Sequence, residues 1–114
     1  MSSYKFSHSF VDINSKLGTL FEVGFADPAK NDLKVRTLND IIVELEGYEA
    51  RGSLALVNGS AALSVANELT PCLARKFEMV AYFNLKSVGY VVAISNDPNF
   101  RVASVIPAAD VRSF

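Results

Sequence analysis

The stretch Gly52-Ser-Leu-Ala-Leu-Val-Asn-Gly-Ser60 decides the fold that we predict for this chain. Its apolar part, Gly52–Val57, is typical of a strand buried within a sheet. Asn58-Gly59-Ser60 then turns the chain, and the serine is suited to cap a helix that we expect from about residue 61 to residue 77. This order of strand, turn and helix, followed by two further strands, predicts a small ligand-binding α/β unit.

The residues after this unit predict more strands. Residues 78–83 and 89–95 are interpreted as a β-hairpin joined through residues 84–88, and residues 102–106 indicate a last edge strand. Pro71 removes a backbone amide within the predicted helix, so we expect a kink or a break near Thr70.

The residues before the unit complete the fold prediction. Residues 4–13 and 19–25 indicate two strands, and the polar stretch that follows Asp27-Pro28 is interpreted as a loop as far as Arg36. Thr37 begins a second helix with Asp40 in its first turn, and Gly47 is a natural stop. The order β-β-α-β-α-β-β predicts a single α/β domain over residues 1–114 (an α+β mixed sheet carrying two helices).

Composition limits the classes of function. The 114 residues carry 11 basic and 12 acidic side chains, so the net charge of −1 provides no global attraction to nucleic acid or to an anionic membrane. A single cysteine, the lack of an apolar leader and the lack of about 18 consecutive apolar residues predict a cytoplasmic protein without a membrane span. Half of the residues are apolar, which favours a subunit interface.

Reactive side chains are scarce. The chain has one histidine, His8, and one cysteine, Cys72, whereas most catalytic sites need at least two such groups together. We therefore predict a scaffold that binds a ligand and expect no catalytic residue, no metal and no cofactor.

Several segments between residues 53 and 106 carry a resemblance to a known family: Ser53–Gly59, Leu63–Ala66, Ala81–Phe83, Gly89–Ser95 and Asn96–Phe100. Together they resemble the third family of Csx-type CRISPR-associated proteins, which act in antiviral defence. The resemblance implies a small dimeric α/β fold. It also implies that cyclic tetra-adenylate or RNA ends bind at a dimer surface and undergo metal-assisted phosphodiester cleavage.

The chain departs from this family where the family carries its chemistry. The resemblance places the family's helix histidines on Pro71 and Arg75, its loop aspartate on Asn84 and a further histidine on Asn96, while Lys86 matches. An asparagine amide cannot act as a carboxylate ligand or as a general base, and neither arginine nor proline can act as the imidazole of a histidine does in proton transfer. The resemblance therefore implies a non-cleaving relative, a pseudoenzyme.

Three sets of residues are candidate ligand contacts, each with a structural alternative. Asn58, Gly59 and Ser60 offer amides to a phosphate, or only turn the chain. Asn84 and Asn96 offer amides to a base edge, or are plain turn residues. The third set consists of the basic residues Arg75, Lys76, Lys86 and Arg101, which could form one phosphate-binding patch. In the structural alternative, Arg75 and Lys76 compensate the negative end of the helix dipole, and the other two are solvated charges in loops.

These observations predict a homodimer that binds a nucleotide or RNA ligand, with cyclic oligoadenylate as the first candidate. The predicted ligand contacts are Asn58, Gly59, Ser60, Arg75, Asn84, Lys86 and Asn96. The alternative is a non-enzymatic interaction subunit or adaptor of a larger assembly. A third, weaker alternative is a metal-independent nuclease that depends on Arg75.

Overall fold

The computed structural model describes residues 3–26, 35–49 and 52–113. Within these residues eight strands form one sheet and two α-helices pack on it. The strands are β1 Tyr4–Ile13, β2 Lys16–Phe25, β3 Val35–Arg36, β4 Leu54–Asn58, β5 Met79–Asn84, β6 Gly89–Ser95, β7 Val105–Pro107 and β8 Val111–Ser113. The helices are α1 Leu38–Glu46 and α2 Ala66–Ala74.

The sheet is mixed, which confirms the predicted fold class. Its strand order is β3-β1-β2-β4-β5-β6-β7; β2, β4 and β5 run parallel to one another, and the other neighbours are antiparallel. The chain then returns from β7 to β1, where β8 pairs with the end of β1 through Val11–Ile13. The last residues therefore connect the two sides of a strongly curled sheet.

The strand β4 confirms the buried strand predicted over Gly52–Val57, but it begins two residues later, at Leu54. All four residues from Leu54 to Val57 are fully buried because both faces of the sheet are covered. Ala55 and Val57 belong to a core beneath the two helices. Leu54 and Leu56 belong to a second core, inside the curl of the sheet.

The helix α1 forms as predicted. The Thr37 hydroxyl accepts from the Asp40 amide at 3.2 Å, and the Asp40 carboxylate accepts from the Thr37 amide at 3.2 Å, which is a capping box. Ile41 and Leu45 are buried, and the helix ends at Gly47.

The helix α2 differs from the prediction at both ends, and it stops at Ala74 rather than at about residue 77. It begins at Ala66 rather than at residue 61, and Ser60 does not cap it, because the Ser60 hydroxyl accepts from the Phe25 amide at 3.1 Å. The Ala61 amide donates to the Val23 carbonyl at 2.9 Å, which holds this residue against β2. A 3-10 turn at Leu63–Val65 therefore precedes the α-helix, which continues through Pro71 without the expected break.

Two short strands were not predicted, and one is displaced. β3 covers the last two residues of the segment interpreted as a loop, while residues 27–34 of that segment lie outside the described residues. β8 covers three residues near the C-terminus. The last predicted edge strand is observed at Val105–Pro107 instead of residues 102–106. Strands this short lack the alternation by which a strand is recognised in a sequence.

Candidate functional site

The predicted ligand residues lie at two opposite ends of the sheet. The parallel strands β4 and β5 end at Asn58 and Asn84, and the turns that follow hold Gly59, Ser60 and Lys86. We call this side the carboxyl end. Arg75 follows α2, and Asn96 donates its amide to the Glu78 carbonyl at 2.7 Å, just before β5 begins. The structure thus brings five predicted residues to the carboxyl end and places two at the amino end.

The turn Asn58-Gly59-Ser60 uses its polar groups within the protein. The Gly59 amide donates to the Asn58 side-chain oxygen at 2.7 Å, and the Ser60 hydroxyl is occupied by the Phe25 amide. Gly59 has φ +115, and a Cβ atom there would overlap the Val23 carbonyl. The structural alternative accounts for these contacts, and a phosphate-binding role of the turn remains a prediction.

Asn58 also belongs to a polar cluster that sequence reasoning missed. Asn58 lies opposite Glu22 in the β2–β4 register and is hydrogen-bonded to the Tyr90 hydroxyl. Burial raises the pKa of Tyr90, the hydrogen bond from Asn58 opposes this shift, and the Glu22 carboxylate adds to it. Nothing in the sequence signals the cluster, because its members lie far apart along the chain and Tyr90 sits in an apolar run.

An open groove of about 250 Å³ lies beside the end of β5. It runs between the 3-10 turn that precedes α2 and the β5–β6 hairpin. α2 packs against β5, but neither described helix covers β6, whose Ala93 and Ile94 are exposed. The lining residues are mostly apolar, with one amide: Leu63, Tyr82, Phe83, Asn84, Val91 and Ala93.

Tyr82 fixes the wall of the groove. Its ring is buried, and its hydroxyl forms a 2.6 Å hydrogen bond with the Thr70 hydroxyl of α2. Burial raises the pKa of Tyr82, and the hydrogen bond with Thr70 partly opposes this. The wall is therefore joined to the helix by a neutral, hydrogen-bonded phenol.

The tip of the β5–β6 hairpin lies next to the groove. The Asn84 side-chain oxygen accepts from the Ser87 amide at 3.2 Å, so its NH2 group is the part suited to donate to a ligand. Lys86 is exposed within the turn. Leu85 and Val88, on either side of it, are 80% and 64% exposed.

The residues at the amino end have structural partners. The Arg75 guanidinium donates to the Cys72 sulfur at 3.5 Å. The Lys16 ammonium lies 3.7 Å from the Asp97 carboxylate and 5.4 Å from the centre of the Phe100 ring. The segment 96–100, one of those that carry the family resemblance, thus holds the start of β2. Lys86 is at the other end of the sheet, so the basic residues do not form the single patch that we considered.

The lone histidine packs among aromatic rings. The His8 ring centroid lies 5.1 Å from that of Tyr48 and 6.2 Å from that of Phe21. In the part of the chain that the structure describes, no three His, Cys, Asp or Glu residues are grouped so that they could hold a metal ion.

Comparisons with known proteins identify no relative of this chain. No protein-family model matches this sequence, and neither a curated protein nor a solved structure is significantly similar to it. The resemblance carried by residues 53–106 therefore stays a prediction. Among the described helices, none has the length and apolar character needed to cross a membrane.

Proposed function

We propose that this protein binds a nucleotide or RNA ligand, such as cyclic oligoadenylate, without cleaving it, and that the ligand occupies the groove and the adjoining hairpin tip. One observation carries the proposal: an apolar groove that includes the Asn84 amide lies where the parallel strand β5 ends, and the turn that follows holds the exposed Lys86. Ligands of α/β proteins bind at the carboxyl ends of parallel strands, in barrels as well as in open sheets. As part of the proposal, the protein is a cytoplasmic homodimer.

The groove offers the chemistry that a nucleotide needs. A base can pack against the apolar and aromatic walls while the Asn84 NH2 group donates to its edge. Lys86, two positions further along the hairpin, supplies the charge for a phosphate. Asn58–Ser60 support this end of the sheet from within through their own hydrogen bonds.

Binding without cleavage follows from the side chains present. Asn84 has no carboxylate with which to hold a hard cation or to act as a general base. Arg75 and Asn96, on which the resemblance places two of the family's histidines, lie at the amino end. The third alternative, a nuclease that depends on Arg75, would have its key residue remote from the groove.

Titration of the protein with labelled cyclic tetra-adenylate, and with a short linear oligoadenylate, tests the proposal. We expect saturable binding. The logarithm of the association constant should fall linearly with the logarithm of the salt concentration, with a slope of about 0.7 per phosphate neutralised. Lys86→Ala should weaken binding about tenfold and lower this slope, because it removes one phosphate contact. Lys76→Ala, at the other end of the sheet, is the matched control and should bind as the parent does.

Two results would contradict this proposal. Absence of saturable binding at physiological salt would exclude the ligand, and turnover of the oligonucleotide that depends on a divalent ion would exclude the non-cleaving role.

A second candidate function is that of a protein-interaction subunit. The observation in its favour is the apolar surface around the groove, where Leu63 is 70% exposed and Val105 and Ile94 are also exposed. Exposed apolar patches mark interaction sites on soluble proteins. Copurification of one fixed partner from the native host, lost in Leu63→Asp, would favour this function, whereas a stable free homodimer that binds the nucleotide would count against it.

A further inference from the structure

Val88 has a backbone conformation that valine rarely adopts. Its φ angle is +48, in the left-handed region, where a β-branched side chain is crowded by its own backbone. Hydrogen bonds hold it there: its amide donates to the Leu85 carbonyl at 3.2 Å, and its carbonyl accepts from the Ala108 amide at 3.1 Å. The conformation is therefore imposed by the hairpin turn and by the neighbouring chain after β7.

Packing does not account for a valine at this position. Its side chain is 64% exposed, so it contributes little to either core. Glycine or asparagine would adopt the same φ at lower cost, and both are ordinary residues for such a turn. The strain thus holds an aliphatic side chain in solvent beside Lys86. Strained conformations recur at functional sites. Of the four described non-glycine residues with positive φ, Val88 is the one that shares a hairpin turn with the groove residue Asn84.

The hairpin tip carries a mixed surface next to Asn84, which lines the groove. Leu85 and Val88 flank Lys86, and all three side chains are exposed. An aliphatic contact next to a cation suits a ligand that places an apolar face beside a phosphate, as a nucleotide does with its base and sugar. The turn also keeps Asn84 in place through the Ser87 amide.

We propose that Val88 contacts the ligand where the ligand extends from the groove onto the hairpin tip, and that the strained backbone holds this side chain in solvent two positions after Lys86. This inference rests on the proposed function. It predicts that removing the strain stabilises the fold and weakens binding at the same time.

Val88→Gly and Val88→Asn test the inference, because both tolerate the left-handed conformation and both remove the aliphatic contact. We expect each to raise Tm, by about 4 °C, and to weaken binding of cyclic tetra-adenylate by about tenfold. Ala103→Gly is the matched control. Ala103 is exposed with φ +71 but pairs with Val92 in the middle of β6, so its replacement should raise Tm and leave binding unchanged.

The outcomes separate the inference from the proposed function. If the parent protein does not bind either oligoadenylate, the proposed function fails and Val88 has no ligand to contact. If the parent binds and both Val88 variants bind equally well, only the role of Val88 is overturned. If both variants lower Tm, the strain argument is wrong.

Discussion

Tyr82 and Tyr90 show how single residues of this fold depend on their surroundings. Burial raises the pKa of both phenols above the ordinary value of 10.0. The unfolded chain therefore loses these protons at a lower pH than the folded protein does. Between the two pKa values the unfolded state binds fewer protons, so the free energy of unfolding falls as pH rises.

We expect alkaline destabilisation to begin near pH 10, where unfolded tyrosine ionises. The double variant Tyr82→Phe/Tyr90→Phe should show a smaller fall in the free energy of unfolding above that pH, because it lacks both raised phenols. Urea denaturation at a series of pH values measures this. An unchanged alkaline slope in the double variant would contradict the assignment. At neutral pH the variant should lose about 1 kcal/mol for each hydrogen bond removed.

Gly59 is a residue whose role the sequence and the structure describe differently. From the sequence it is part of a turn that either offers its amide to a phosphate or only reverses the chain. In the structure its amide is donated to Asn58, and its φ of +115 brings the backbone close to β2. A glycine is needed here for the close approach of two strands, whatever the ligand.

At the scale of the element, α1 shows what local chemistry determines. Its capping box, its buried stripe and its terminal glycine all lie within a short segment of the chain. Each is a contact between near neighbours, so the pattern predicts the helix without knowledge of the fold.

Thr37→Ala should lower the free energy of unfolding by about 1 kcal/mol, because it leaves the Asp40 amide without its acceptor. The midpoint of urea denaturation measures the change. Thr37→Ser keeps the hydroxyl and serves as the control, with a midpoint close to that of the parent. Equal losses in both variants would show that the methyl group, rather than the cap, is responsible.

The helix α2 shows what local chemistry leaves open. Ser60 has the residue type and the spacing of a cap, but its hydroxyl binds the amide of Phe25, a residue 35 positions away. The start of α2 is therefore displaced to Ala66 by a contact with β2. No pattern around Ser60 contains that information.

At the scale of the whole molecule, one sheet separates two cores. Leu56 lies in the core inside the curl, and Leu69 of α2 lies in the core beneath the helices; both are fully buried. Because β4 contributes to both cores, loss of either one should unfold the sheet that supports the other.

Leu56→Ala and Leu69→Ala should each lower the free energy of unfolding by about 2–5 kcal/mol. Each variant should still unfold in a single transition, with coincident curves from far-ultraviolet and near-ultraviolet circular dichroism. Separated curves in either variant would mean that the two cores unfold independently.

The sequence by itself determined the features that depend on near neighbours or on simple periodicity. These are the mixed α/β class, the buried strand β4, the β5–β6 hairpin and the limits of α1. A strand that is buried on both faces requires an apolar run, and a capped helix requires its cap within one turn. Both features can therefore be recognised as local patterns in the sequence.

Only the tertiary structure decided how the candidate site is assembled. Arg75 and Asn96 lie at the opposite end of the sheet from Asn84 and Lys86. Asn58 lies next to Tyr90. No described helix covers β6, so a groove forms beside Tyr82. These relations arise from strand order and from where the helices lie, since residues distant in the chain meet only once the sheet has formed. A sequence records which side chains are available, and the packing of the sheet sets which of them share a surface.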